Sequence, residues 1–262
     1  GGSIKNDVLS GLTVALALVP EAVAFAFVAG VSPVVGLYGA FMMGLVTAIF
    51  GGRPGMISGA TGAMAVVMVH LVKEGNELGN SDSAGLHYLF ITLLLVGLIQ
   101  MSAGFLRMGK CVRMIPHSVM MGFVNGLAIV IFISQLGMFK SQGEWLQGTS
   151  LYTMMGLVAM TMTIMIILPL FTKKVPAALT AILVVSGVVI FGNLETETVR
   201  TFIVSNGGEG IKAGLPHFEI PSVPFSLRTL IFIGPYALIL AAIGLIESLM
   251  TLNLIDELTD SH

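Results

Sequence analysis

Glu247, Ser248 and Thr251 stand together in the apolar run 229–256. Residues 247 and 251 are four apart, so on a helix they share a face, with Ser248 beside them. A carboxylate and hydroxyls grouped in this way bind a hard cation through oxygen, or let the acid carry a proton. Alternatively a neighbouring helix satisfies the acid, and the small residues Gly244, Ser248 and Thr251 let that helix approach closely. A second acid, Glu21, follows Pro20 near the middle of the apolar stretch 12–29. A carboxylate at that depth costs roughly 2.5–3.5 kcal/mol unless a cavity, an ion or a partner receives it. Pro20 also removes one helical hydrogen bond. The third group is Ser58, Gly59, Ala60, Thr61, Gly62 and Ala63, at the head of a short apolar segment. The first N–H groups of a helix lack internal partners and, with the macrodipole, attract anions. Small side chains leave those groups open and the Thr61 hydroxyl adds a donor, which allows a small anion to bind without a buried arginine. The same small residues also suit a close helix crossing.

The elements that hold these groups must lie in a bilayer. The chain has 262 residues, 55% hydrophobic and 10% charged, whereas charged residues make up about 25% of a soluble domain. So few charges cannot cover a solvated surface, and the mean hydropathy of +0.97 agrees. The chain therefore reads as an all-α polytopic membrane protein. A net charge of −2 with scattered basic residues leaves no nucleic-acid footprint. Cys111 is the single cysteine, which excludes an intrachain disulfide and a multi-cysteine metal site.

Apolar runs predict helices near 8–29, 33–50, 86–106, 111–138, 151–171, 175–192 and 229–256, separated by turn residues such as Gly30 to Pro33. Between them, Thr61 to Lys73 predicts a half-length helix of some 20 Å at 1.5 Å per residue, against a hydrocarbon core of about 30 Å. Residues 193–228 form one long loop, whose second half Pro216, Pro221 and Pro224 should keep extended. Arg107, Lys110 and Arg113 in one short loop, with Lys173 and Lys174 in another, put the N-terminus in the cytoplasm. The opening Gly1-Gly2-Ser3 reads as a tag remnant or a trimmed start.

Other signals are weaker. His70, His87, His117, His217 and His262 lack ligand spacing. The GGRPG run at 51–55 lacks the Gly-Lys-Ser/Thr of a phosphate loop. Without a G-x-S-x-G elbow or a helical H-E-x-x-H, enzyme chemistry is not expected. Trp145 reads as an interface anchor beside a helix end.

The stretches VPEAVAFAFVAGVSPVVGLYGAF (19–41) and FGGRPGMISGATGAMAVV (50–67) resemble the SulP family of anion transporters. The likeness continues through 114–126, 213–221 and 243–257. It implies fourteen segments in two inverted seven-segment repeats, divided into a core domain that carries substrate and a gate domain. In this chain, 1–106 would be core segments one to four, 107–192 gate segments five to seven, 193–228 an extracytoplasmic loop and 229–262 core segment eight. The tenth segment and the C-terminal STAS domain common in the family would lie outside these residues, and the chain alone is expected not to transport. Thr61, Gly62 and Ala63 match the half-helix whose N-terminus faces the anion, and Phe25 matches an aromatic position lining the anion pocket. Glu247 and Thr251 fall where a bicarbonate carrier of that family holds sodium with an aspartate and a threonine, whereas proton-linked relatives have glutamate. Glu21 stands where many relatives have glutamine.

The expectation is secondary transport of a small anion (bicarbonate, sulfate or a dicarboxylate) across an inner cell membrane. Glu247, with Thr251, Ser248 and Glu21, would couple it to sodium or protons. No cofactor is expected beyond a sodium ion. The alternatives are an uncoupled channel or exchanger, or a membrane protein that does not transport. Expected partners are the anion and the bilayer, with homodimerisation through parts outside this chain.

Overall fold

The computed structural model describes residues 4–51, 55–59, 61–81, 83–107, 117–136, 139–141, 144–172, 175, 177–194, 196, 198, 214, 221–224 and 226–259. Its helices are α1 (Ile4–Val28), α2 (Pro33–Phe50), α3 (Gly62–Gly79), α4 (Ala84–Phe105), α5 (His117–Leu136), α6 (Thr149–Phe171), α7 (Ala177–Phe191) and α8 (Leu227–Thr259). The all-α expectation holds, apart from a two-residue antiparallel ladder of β1 (Lys140–Ser141) and β2 (Glu144–Trp145). There the Lys140 ammonium sits 4.8 Å from the Trp145 ring centre. Among the described residues, five helices are long and apolar enough to span a membrane: Asp7–Val28, Pro33–Phe50, Ala84–Phe105, Thr149–Phe171 and Leu227–Leu252.

Boundaries differ from the sequence reading where polar residues are helical. α1 begins at Ile4, with Asp7 in its first turn, where a carboxylate favours the helix dipole. It runs unbroken through Pro20, at the expense of the bond to the Leu16 carbonyl. α3 does not stop near Lys73 but continues to Gly79, 18 residues in all, or about 27 Å. Only its part before Lys73 is apolar, so the half-length description applies to the apolar part and not to the helix. The predicted start of the fifth helix and the Pro216 stretch lie outside the described residues.

Two compact units emerge, 1–21 with 133–213 and 22–132 with 214–262. In the first, α6 packs on α7. In the second, the end of α1 closes on Gly30 in the left-handed region (φ 71°). The Val31 N–H reaches back to the Ala26 carbonyl at 3.0 Å, the arrangement that ends a helix and redirects the chain. α2 then starts with Pro33 in its first turn.

α3, α4 and α8 form the centre of this unit. α3 and α4 are an antiparallel pair joined through Asn80 in left-handed geometry. A Cβ at Gly85 would run into the Val72 carbonyl, and the Gly85 N–H donates to Asn76 Oδ1 at 2.7 Å. α8 lies against both. Val96 of α4 packs on Ala237, Leu240 and Ala241, flanked by Met64 and Met68 of α3. Ser226 caps α8, its Oγ accepting from the Thr229 N–H at 3.2 Å.

Candidate functional site

Contacts fix α8 antiparallel to α3. The Tyr236 hydroxyl engages the Glu74 side chain. A Cβ at Gly244 would come to 2.6 Å of Met64 Cε. Glu247 meets Thr61. The small residues Gly62, Ala63 and Ala65 make this approach possible, and all three are buried.

Thr61 precedes α3 in extended conformation (φ −125°, ψ 139°) and its side chain makes no cap bond. The first intrahelical bond is donated by Ala65 to the Thr61 carbonyl at 3.2 Å. The N–H groups of Gly62, Ala63 and Met64 therefore lie ahead of the ladder. The eleven residues between Thr61 and Lys73, apolar apart from His70, cover about 16 Å. That is about half of a hydrocarbon core about 30 Å thick.

The Thr61 hydroxyl is directed at the Glu247 carboxyl group closely enough to interact with it. The pair falls short of a formed hydrogen bond. Both Thr61 Oγ1 and Glu247 Oε2 are shut off from solvent without a partner among the described residues. Buried oxygens of this kind normally find a donor or an ion. The Thr251 hydroxyl donates to the Glu247 carbonyl at 2.9 Å, which leaves its lone pairs free to accept. The unpartnered oxygens of Thr61 and Glu247 are of the type that a hard, oxygen-seeking cation takes.

Phe25 closes another side. It packs with Val28, Ala29 and Ala65, and a Cβ at Gly62 would lie 3.0 Å from Phe25 Cε1 and 2.5 Å from Ile131 Cδ1. Backbone donors, an acid and an apolar wall therefore meet at the head of α3. The structure brings Phe25 to Gly62 and Glu247 to Thr61 at the head of α3, whereas Thr251 lies one turn beyond Glu247 with its hydroxyl on the Glu247 carbonyl. Ser248 is exposed on α8, and Glu21 is exposed on α1 within the other compact unit.

A family model described as the sulfate permease family matches residues 4–262. The chain belongs to the sulfate permease family. Within this family, YbaR of Bacillus subtilis, a candidate sulfate transporter, is 46% identical over 261 residues, 99% of this chain and 50% of YbaR. The bicarbonate transporter BicA of Picosynechococcus sp. is 33% identical over 272 residues, 98% of this chain and 47% of BicA. The solved transmembrane domain of a cyanobacterium bicarbonate transporter BicA superposes with a TM-score of 0.78 at 28% identity. That match covers 98% of this chain and 66% of the solved one. The chain spans about half the length of the curated relatives it matches. This sulfate permease chain is thus a multi-pass membrane protein of helical fold, and its relatives are transporters rather than enzymes.

Two side chains at the site escaped the sequence reading. Ile131 gave no signal, because one isoleucine in an apolar helix carries no pattern. Gln100 did give one: it is an amide inside the span Ala84–Phe105. Its Nε2 donates to the Ala241 carbonyl of α8 at 3.3 Å.

Proposed function

We propose that this chain forms the N-terminal half and eighth segment of a secondary anion carrier in an inner cell membrane, with its N-terminus in the cytoplasm. The observation that carries this reading is the pair of buried, unpartnered oxygens, Thr61 Oγ1 and Glu247 Oε2, at the head of α3.

An anion bound by the N–H groups of Gly62 and Ala63 gains from the positive end of α3. An ionised Glu247 beside the same head repels it. A proton on Glu247, or sodium held by Glu247, Thr251 and Thr61, removes that repulsion. Cation and anion then bind better together than apart, which is the requirement for symport. Phe25 and Ile131 keep water from the helix head, which strengthens both interactions. Release on the far side follows from movement of the core domain against the gate domain, with the partner helix and a dimer contact supplied by residues outside this chain. The substrate class is a small oxyanion, sulfate or bicarbonate as the relatives' names indicate, or a carboxylate.

The test is uptake by the full-length protein in proteoliposomes, using labelled sulfate, bicarbonate and a dicarboxylate under a sodium gradient, a pH gradient or neither. Uptake of one anion that rises with one gradient supports the reading. Uptake indifferent to both gradients makes the protein an uncoupled exchanger or channel, and Glu247 a structural acid. No uptake of any anion rejects transport.

A further inference from the structure

We propose that Gln100 is a positioning residue that holds Glu247 against the head of α3. The proposal rests on the coupling role given to Glu247 above, but its geometric part can be tested separately. Ala241, Gly244 and Glu247 succeed one another at intervals of three and so run along one face of α8. Gln100 contacts the first two. Its Nε2 donates to the Ala241 carbonyl at 3.3 Å, and a Cβ at Gly244 would collide with the same amide nitrogen. Met64, in the first turn of α3, presses on Gly244 from the other side. One turn further along α8, Glu247 reaches Thr61.

The apolar contacts around this point, Val96 with Ala237, Leu240 and Ala241, are favourable but non-directional. Alone they tolerate a small slide or rotation of α8. An amide bonded to one carbonyl does not, because the bond weakens steeply with angle. The Ala241 carbonyl already accepts a bond within its helix, so Gln100 adds little to the stability of α8. Its effect is to fix the depth and rotation of the helix that carries the acid. Gly244 is the matching device: having no side chain, it lets the amide and the Met64 methyl reach the helix backbone.

The test uses the full-length protein in a Cys111→Ala background. With Thr61→Cys and Glu247→Cys together, oxidative cross-linking reports the α3–α8 register without any need for transport. Gln100→Met, which keeps length and loses the amide, should lower the cross-linking rate about three- to tenfold, the range of one interhelical hydrogen bond in a membrane. With the native Thr61 and Glu247, the same Gln100→Met change should raise the half-saturating concentration of the driving cation by a similar factor, and leave the anion KM at saturating cation nearly unchanged. An unaltered cross-linking rate overturns the proposal. A slowed rate without any cation dependence of uptake keeps the positioning role and rejects the coupling reading. If Gln100→Met does not fold, Gln100→Asn, one methylene too short to reach the Ala241 carbonyl, takes its place. It should slow cross-linking in the same way, and an unaltered rate likewise overturns the proposal.

Discussion

α6 and the α3–α4–α8 cluster treat their polar groups in opposite ways. Two hydroxyls in the middle of α6 are turned back on their own helix: Thr161 donates to Leu157 at 2.8 Å and Thr163 to Ala159 at 2.7 Å. No α6 residue is buried, and its span has 0% of residues buried, against 33% for α8. Hydroxyls bonded within their own helix can face hydrocarbon without an outside partner. In the cluster, Thr92 and Thr251 behave in the same way. Thr61 Oγ1 and Glu247 Oε2 do not. Polar atoms that close on themselves need nothing from a neighbour, whereas those left open at a packed junction mark the candidate site. The difference is in satisfaction rather than in polarity, and composition alone does not reveal it.

The sharpest way to break this comparison is Glu247→Gln in the full-length protein. The amide keeps the shape but cannot hold a proton or pair fully with sodium. Cation-driven uptake should fall by about 100-fold, the equivalent of 2.5–3.5 kcal/mol of buried charge, while the melting temperature in detergent stays within a few degrees. Next comes Gly85→Val, which drives a side chain into the Val72 carbonyl. It should destabilise the protein by about 1–3 kcal/mol, measured as thermal unfolding in detergent. Thr251→Val should weaken sodium-driven uptake by about three- to tenfold, as expected for one lost interaction of about 1 kcal/mol. It should alter proton-driven uptake less, since a proton does not need the oxygen ligand. The smallest effect belongs to α6. A Cβ at Gly156 meets nothing within 4 Å, so Gly156→Ala should leave stability unchanged or raise it by up to about 1 kcal/mol through helix propensity. A large loss there would show that α6 is packed as tightly as the cluster.

Much of the helical layout could be read in advance, because a span must be apolar for its whole length and turn residues mark its ends. α3 was misjudged for the same reason. Gly75, Asn76 and Gly79 disfavour a helix locally, yet Gly75 lies where Gly85 and Tyr88 approach and Asn76 Oδ1 takes the Gly85 N–H. Tertiary contacts carry the helix through residues that locally disfavour it. At the site, Thr61 and Glu247 announced themselves by chemistry: small residues at a helix head, and an acid in an apolar run. Their meeting depends on the α3–α8 register, which neither segment encodes alone. Ile131 and Gln100 matter only through that meeting, so Ile131 was silent in the sequence and Gln100 was merely unusual.

The register also limits how this region can change length. Each residue of an α-helix turns the next by about 100° and advances it by 1.5 Å. Between Tyr236, engaged with Glu74, and Glu247, facing Thr61, α8 has no loop to absorb an extra residue. One insertion would swing the acid to a different side of its helix while leaving Tyr236 in place. The stretch from Tyr236 to Glu247 therefore works as a fixed-length gauge: its letters can vary, but their number cannot. A paired one-residue insertion in α3, between Thr61 and Glu74, would not repair the fault, because it would rotate the helix head as well.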